Sequence, residues 1–488
     1  MTEKRKAVFD VFKVLISNSI TLISGILIGF VVPEIMDVSN YGYYKTFSLY
    51  FGYVGILHFG ISDGIFFYLS GKKKEEIDLP KLHSGLAFLF LIEAIISVAG
   101  LLISIFTIKG NIGLILGFVF IGNFFYQVQT ALAYVCQATK DFSFPSIVSS
   151  AKGILDIASV LILLFLTKSD DSFSVSFSLY CIIYLSILSL TSLSFSIRLW
   201  KIIFSKGQKI DETMKDVLLY IKIGGPIMLA NLTSSLIMTI DKQFVSLFYP
   251  IELSNTFSLF SFSYSVLTLI TTATSAVSVV LFPYIKGKNQ ESLVNAFPIL
   301  DSWLLIFVVL ACSSVFIVEW FVGLYLPSYS DSIRYLKLLV PGLIVNSPIT
   351  VLMHNYYKAL KKEHAYFLQN IIILCAAILL DLAAYYLIVL NTDSKDPIWL
   401  TAASFLTIII WYCISESYLV LHFKIKHLKN DLFILLACLL FFVVSYLLSG
   451  WAGFAVFLVL SVALCFLFYF KLIKNAFKEI SNKRKTHL

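Results

Sequence analysis

The stretch Gly224-Gly-Pro-Ile-Met-Leu-Ala-Asn231-Leu-Thr-Ser-Ser-Leu-Ile-Met-Thr-Ile-Asp241-Lys242 decides the fold of this protein. It is apolar enough to cross a lipid bilayer, yet it contains a Gly-Gly-Pro break, an amide side chain midway and an Asp-Lys pair near its far end. Pro226 cannot donate a hydrogen bond to the carbonyl four residues before it, so the helix should kink there. Such features persist in lipid only against protein or water. We therefore expect this stretch to face an internal cavity.

The composition shows that similar apolar stretches fill the chain. Of the 488 residues, 59% are hydrophobic and 14% are charged, and the mean hydropathy is +0.88. A helix needs roughly 20 apolar residues to cross the hydrocarbon core, and about fourteen such runs can be placed. They lie at about 11–33, 43–69, 84–107, 112–136, 144–166, 173–197, 217–240, 256–281, 298–318, 333–355, 366–390, 398–421, 431–449 and 452–470. The sequence therefore predicts an all-α polytopic membrane protein of about 14 transmembrane helices.

Lysine and arginine are distributed unevenly. There are 37 of them against 29 acidic residues, and most lie in the termini and in the loops on the N-terminal side of the predicted membrane. This is the pattern of the positive-inside rule, so both termini should be cytoplasmic. The basic tail from Lys471 to Lys485 should anchor this topology and contact anionic lipids, not nucleic acid.

Two halves of the chain resemble each other. Thr46-Phe-Ser-Leu49 recurs as Thr256-Phe-Ser-Leu259, and Asp156 has a counterpart in Asp381. An even number of spans in each half makes these parallel repeats, related by an axis along the membrane normal. We predict a first lobe of six spans over residues 1–205, a second over 206–425, and two extra spans with a basic cytoplasmic tail over 426–488.

Motifs of catalysis are missing or misplaced in the sequence. Gly60-Ile-Ser-Asp-Gly64 fits the nucleophile-elbow pattern as a string, but it lies inside an apolar run of helical length, whereas the motif needs a strand-to-helix turn. The same glycines suit close helix packing. No Walker A loop, HExxH helix or dinucleotide fingerprint occurs, and the seven cysteines form no CxxC pair. We therefore predict no enzymatic activity, no catalytic residue and no metal site, and the only cofactor left open is a coupling ion, Na+ or H+.

Polar and ionisable groups inside the predicted spans are the candidate functional residues, because charge in lipid is costly. Lys152 and Asp156 are four residues apart, one helical turn, and should pair on one helix face. Both a cavity function and a purely structural pair remain open for them. The other candidates for a substrate-binding cavity are Lys45, His58, Asp63, Lys222, Asn231, Asp241 and Lys242. We interpret the following as structural groups that face the helix bundle: Glu93, Glu319, Asp381 and Glu416.

The chain resembles the polysaccharide flippases of the Wzx type, within the multidrug/oligosaccharidyl-lipid/polysaccharide (MOP) exporter superfamily. The resemblance covers most of the chain and rests on Pro33-Glu, Asn40-Tyr-Gly-Tyr-Tyr44, Phe59-Gly-Ile-Ser-Asp-Gly64, Gln137-Ala-Thr-Lys140, Gly224-Gly-Pro226 and Ile240-Asp241-Lys242. It implies a MATE-like transporter of two six-helix bundles plus two C-terminal helices. The implied location is the bacterial cytoplasmic membrane.

The resemblance also implies a substrate and partners. The substrate would be an undecaprenyl-diphosphate-linked oligosaccharide, moved from the inner to the outer leaflet for capsule, exopolysaccharide or O-antigen synthesis. The partners would be membrane lipids, a polysaccharide polymerase and glycosyltransferases. The cation-rich cavity of such flippases would correspond here to Lys152, Lys222, Lys45 and Lys242. Spans one to six contain no arginine before Arg198, so phosphate recognition there must use lysine.

Two other functions fit the same sequence. A cation-coupled drug or metabolite exporter of the same superfamily would be expected to hold an acidic residue deep in its first span, where this chain has Ser17-Asn18-Ser19-Ile-Thr21. A membrane polysaccharide polymerase or ligase is disfavoured by the short outer loops. Lipid II flippases share the implied fold, and the sequence separates them poorly from capsule or O-unit flippases.

Overall fold

The structure, a computed structural model, describes the backbone of residues 3–486 except 71, 73–75, 171, 286–288, 361, 393–395 and 426. Side chains are described over the same residues except 3–12, 15, 273–285, 363 and 477–486. Nearly all of this described chain is helical, and it contains no strand. It divides into two compact units, Met1–Leu236 with Ser246–Ser261 and Ile237–Val245 with Phe262–Leu488.

The α-helices in chain order are α1 (Glu3–Ile35), α2 (Val38–Phe51), α3 (Ile61–Leu69), α4 (Leu79–Thr107), α5 (Gly110–Ala138), α6 (Ser143–Ser169), α7 (Phe177–Arg198), α8 (Trp200–Ile203), α9 (Ile210–Ile237), α10 (Ile240–Phe248), α11 (Thr256–Ile285), α12 (Gln290–Cys312), α13 (Ser314–Tyr325), α14 (Ile333–Ser347), α15 (His354–Ala359), α16 (Glu363–Ala383), α17 (Ile398–Phe423), α18 (Leu428–Leu447) and α19 (Gly450–Thr486). Short 3-10 or π-helical segments continue several of them.

The predicted membrane spans are present in the described chain. Twelve helical segments are long and apolar enough to cross a membrane, and α2 with α3 forms a thirteenth that is bent by 54°. Thr256–Thr272 of α11 is a shorter apolar helix. These segments occur at the predicted positions, so the predicted all-α polytopic fold is confirmed.

Polar side chains cap the N-termini of several helices. Asp37 accepts a hydrogen bond from the N–H of Asn40 at 2.8 Å, and Asp78 accepts one from the N–H of Lys81 at 3.1 Å. Short acidic side chains are favoured at this position because they satisfy N–H groups that have no partner inside the helix. These side chains therefore help to fix where α2 and α4 begin.

The decisive stretch forms α9 and the start of α10. α9 continues through Pro226, and the break in the helix falls near residues 238–239. The kink at Pro226 stays a prediction. The lobe limits at residues 205 and 425 also stay predictions.

The core of the first unit joins α4 to α5. Leu82, Leu86 and Leu89 recur on one face of α4 at helical spacing and belong to the same buried cluster as Leu132 and Val135 of α5. All five are at most 2% exposed. Because lipid is as apolar as leucine, close van der Waals packing of these side chains, and not their removal from water, holds the two helices together.

A buried polar chain supports the bend between α2 and α3. Asn123 Nδ2 donates to Glu93 Oε2 at 2.8 Å, and Gln127 Nε2 donates to the Val54 carbonyl at 2.7 Å, inside the turn. Glu93, Asn123 and Gln127 are fully buried. Removing one hydrogen-bond partner from this chain would lower the free energy of unfolding by about 1–3 kcal/mol. The contacts agree with the structural role predicted for Glu93.

Candidate functional site

The bend in the second span depends on glycine. Gly60 precedes α3 with a φ of 81°, a left-handed conformation that favours glycine. A Cβ on Gly60 would overlap the backbone of Gly225, and one on Gly64 would overlap the backbone of Tyr220. α3 therefore packs directly on the Gly-Gly-Pro segment of α9, as the sequence predicted for these glycines.

The predicted Lys152–Asp156 pair is present on α6. Lys152 Nζ donates to Asp156 Oδ2 at 2.7 Å. The Lys152 side chain is 27% exposed and that of Asp156 is 11% exposed, so the ammonium group is the more accessible partner. The expected pairing is confirmed, and its role stays a prediction.

Tyrosine rings surround this pair and extend it to Lys45. Lys152 Nζ lies 5.3 Å from the ring centroid of Tyr184, and Lys45 Nζ lies 5.0 Å from that of Tyr44. The Tyr44 and Tyr180 rings meet edge to face at 4.7 Å. Both these rings and Tyr184 are close enough to Asp156 to interact with its charge. We call this group the tyrosine–lysine cluster, and its members are Lys45, Lys152, Asp156, Tyr44, Tyr180 and Tyr184.

The cluster can bind an anion through Lys152. An ammonium group has three N–H donors. Among the described residues, Asp156 is the only hydrogen-bond acceptor of Lys152. Two donors therefore remain for a ligand, and cation–π contact with Tyr184 holds the side chain in place without using them.

The remaining candidates of the first unit are arranged differently. His58 Nε2 lies 3.6 Å from Asp63 Oδ2, and His58 Nδ1 accepts from the N–H of Gly60 at 3.0 Å. His58 is thus a hydrogen-bonded interior histidine at the bend. Lys222 and Asn231 of α9 have exposed side chains. Their predicted role in a cavity is still a prediction.

In the second unit, the predicted Asp241–Lys242 pair lies in a buried cluster. Asp241 is 1% exposed and accepts hydrogen bonds from Ser404 Oγ at 2.7 Å and from the Tyr264 hydroxyl. It also accepts the N–H of Lys242 at 2.7 Å. Lys242 Nζ lies 4.6 Å from the ring centroid of Tyr264. Tyr264 and Ser404 also line a small cavity, so this acid lies beside an internal space.

Asp381 of α16 is a second carboxylate in the same environment. It is 1% exposed and close enough to Asp241 for their charges to interact. Its Oδ1 has no hydrogen-bond partner among the described residues. Two such carboxylates repel each other unless positive charge compensates them, and Lys242 interacts with Asp241, so the charge of Asp381 is the one that still needs a proton or a cation. The arrangement can therefore hold a small cation or exchange a proton.

Sequence reasoning missed part of both clusters. Tyr184, Tyr264 and Ser404 have no pattern that separates them from other apolar-span residues, because their roles depend on contacts between helices distant in the chain. Asp381 was interpreted as structural, yet its match to Asp156 in the other half was a signal that could have marked it.

Comparisons with known proteins identify the fold. The sequence matches no protein-family model and no curated protein. A structure of the lipid II flippase MurJ, in an inward closed conformation, is 15% identical with a TM-score of 0.68 and covers 96% of this chain and 100% of that chain. An inward-facing multidrug resistance MATE family transporter of the MOP superfamily is 16% identical with a TM-score of 0.59, over 83% and 95%. A MATE structure in a bent conformation is 14% identical with a TM-score of 0.51, over 84% and 94%.

These likenesses define the class of the protein as a multi-pass, all-helical membrane protein. More particularly, its fold is similar to that of MurJ and the MATE transporters of the MOP superfamily. The predicted MATE-like fold is thereby confirmed, while the identities of 14–16% leave the substrate to be argued from the site.

Proposed function

We propose that the protein is a flippase of the Wzx type. It moves polyprenyl-diphosphate-linked oligosaccharide repeat units from the inner to the outer leaflet of the bacterial cytoplasmic membrane by alternating access. The observation that carries this proposal is the Lys152 ammonium, which is partly exposed within a membrane span and retains two donors. A likeness to a lipid II flippase over 96% of the chain supports a lipid-linked substrate.

A diphosphate headgroup needs positive charge to cross a membrane of low dielectric constant. Lys152 and Lys45 supply it in the tyrosine–lysine cluster. Without substrate, Asp156 compensates Lys152 at 2.7 Å, which avoids an unpaired charge in lipid. When the substrate enters, its phosphate accepts hydrogen bonds from the two remaining donors of Lys152. The ammonium group can then leave Asp156 for the phosphate without being unpaired at any stage.

Asp241 and Asp381 would couple this transport to a cation. Two buried carboxylates that interact, one with an oxygen that lacks a hydrogen-bond partner among the described residues, favour Na+ or H+ at this site. Binding of the cation would remove their mutual repulsion and stabilise one conformation of the unit over another.

The same carboxylates favour a second candidate function, a cation-coupled drug or metabolite exporter. The MATE transporters share the fold over 83–84% of this chain. An exporter would use the acidic pair but would not require Lys152. The two functions therefore predict different effects of Lys152 substitutions.

The proposal also places the protein beside a polysaccharide polymerase and glycosyltransferases, with both termini in the cytoplasm. Deletion of the gene tests it. Undecaprenyl-linked units should accumulate in the inner leaflet, and surface polysaccharide should be lost. Wild-type protein should restore the polysaccharide and Lys152→Ala should not. Unchanged polysaccharide with new drug sensitivity would instead support the exporter.

A further inference from the structure

Four ionisable side chains meet at the junction between α17 and α18 in the second unit. Glu416 lies near the end of α17, His427 lies in the connection, and Asp431 lies in the first turn of α18. Asp301 reaches them from α12. We call this group the His427 cluster. It belongs to neither of the clusters described above.

The Nδ1 atom of the histidine is directed at two carboxylates. His427 Nδ1 lies 3.1 Å from Glu416 Oε1 and 3.2 Å from Asp431 Oδ1. The ligand atoms of all three side chains lie within 4.8 Å of one another. A metal ion with ligands at about 2.0–2.1 Å in tetrahedral geometry separates those ligands by about 3.3 Å. The two distances from Nδ1 are hydrogen-bond distances that also lie close to the edge of such a tetrahedron, so the ligand atoms need little movement to bind one ion.

Neighbouring groups orient these potential ligands. His427 Nε2 lies 2.6 Å from Asp301 Oδ2, and Asn430 Nδ2 donates to the same oxygen at 2.7 Å. The Tyr412 hydroxyl donates to Asp431 Oδ1 at 2.7 Å. When a neutral histidine donates its Nε2–H in a hydrogen bond to a carboxylate, its Nδ1 lone pair is available to a metal. Hydrogen bonds that hold both the histidine and a ligating carboxylate are typical of metal sites.

The charge of the cluster points to a cation. Among the described residues, no lysine or arginine pairs with Asp301, Glu416 or Asp431. The Asp301 side chain is fully buried, and its Oδ1 has no hydrogen-bond partner in the described part of the chain. Three carboxylates around one imidazole therefore leave negative charge uncompensated in a mostly buried place, where such charge is costly.

We propose that Glu416, His427 and Asp431 bind a divalent transition-metal ion, Zn2+ or Mn2+. One imidazole with two carboxylates suits these ions better than Ca2+ or Cu+. The ion neutralises Glu416 and Asp431 and joins the end of α17 to the start of α18. It has a path of entry, because the Glu416 and Asp431 side chains are 17% and 28% exposed while that of His427 is 1% exposed. The sequence predicted no metal site because residues 416, 427 and 431 fit no ligand-spacing motif.

The test uses the full chain in detergent after treatment with a chelator. We expect elemental analysis to find one Zn2+ or Mn2+ per chain after titration with the chloride salt, and thermal unfolding to shift upward in a saturable way. Glu416→Gln and Asp431→Asn, which keep side-chain volume, should each weaken binding at least tenfold. Asp301→Asn, a change in a positioning residue, should weaken it by about 10–100-fold.

The matched control is Glu319→Gln, which removes a carboxylate that pairs with Lys337 at 2.7 Å in the same unit but outside the cluster. It should bind the ion as the wild type does. A folded wild-type protein that shows no saturable binding would overturn the proposal. Equal binding by wild type, Glu416→Gln and Asp431→Asn would overturn it as well. Neither result bears on substrate transport, which is assayed separately.

Discussion

Removal of the Lys152 ammonium tests the proposed substrate site most directly. Two of its donors are available to a phosphate, and each charge-assisted hydrogen bond contributes about 1.5–3 kcal/mol. Their loss costs at least about 3 kcal/mol, and about 1.4 kcal/mol corresponds to a factor of ten in rate. We therefore expect Lys152→Ala to reduce export at least about 100-fold. Surface polysaccharide in a deletion strain is the readout.

The effect on folding must be separated from the effect on transport. Lys152→Ala leaves Asp156, whose side chain is 11% exposed, without its partner. A lone carboxylate at the centre of a membrane helix costs about 2.5–3.5 kcal/mol on the insertion scale. The purified single variant should therefore unfold at lower temperature. Lys152→Ala with Asp156→Ala removes both charges, so the melting temperature should recover.

The double variant decides between a substrate site and a structural pair. We expect it to fold and still fail to export, because the cation is missing. Lys168→Ala on the same helix is the control, since it breaks an exposed pair with Glu34 at 2.9 Å and should change neither readout. Restored surface polysaccharide in the double variant would refute the assignment of Lys152 to substrate binding.

Three further predictions follow from the topology and packing. A cysteine at Ser169 should be labelled from outside intact cells and a cysteine at Ser205 should not, since both termini are expected inside; the reverse pattern would invert the topology. Gly60→Ala should destabilise the protein by about 1–3 kcal/mol in thermal unfolding, because φ is 81° and the backbone of α9 leaves no space, whereas Gly55→Ala, with no atom within 4 Å of its Cβ, should be neutral. Asp381→Asn should abolish the dependence of transport in proteoliposomes on a Na+ or H+ gradient, and unchanged dependence would remove this residue from coupling.

Hydrophobicity along the chain predicted the spans because a membrane helix must form all the hydrogen bonds of its own backbone and contain few charged residues. The same argument predicted that Lys152 and Asp156 would pair, since residues four apart share a helix face. The spans and this pair could be predicted from the local sequence because both depend only on residues within one helix.

Contacts between helices could not be predicted in this way. Tyr184 approaches Lys152 from α7, and Ser404 approaches Asp241 from α17, 163 residues later in the chain. The His427 cluster likewise depends on Asp301 of α12. Nothing in the local sequence of these residues states which helix they will face, so only the folded structure assembles the sites.

The matched positions of Asp156 and Asp381 indicate how the two halves differ in chemistry. In the first unit, a lysine one turn earlier compensates the aspartate at 2.7 Å, and we propose that this lysine binds an anion. In the second unit, the matching aspartate has an oxygen without a partner among the described residues and interacts with a second carboxylate, and we propose that this arrangement binds a cation. On this proposal, the same acidic position in the two halves contributes to binding ligands of opposite charge. If the halves arose from one repeat, the presence or absence of the neighbouring lysine would be sufficient to separate substrate binding from cation coupling.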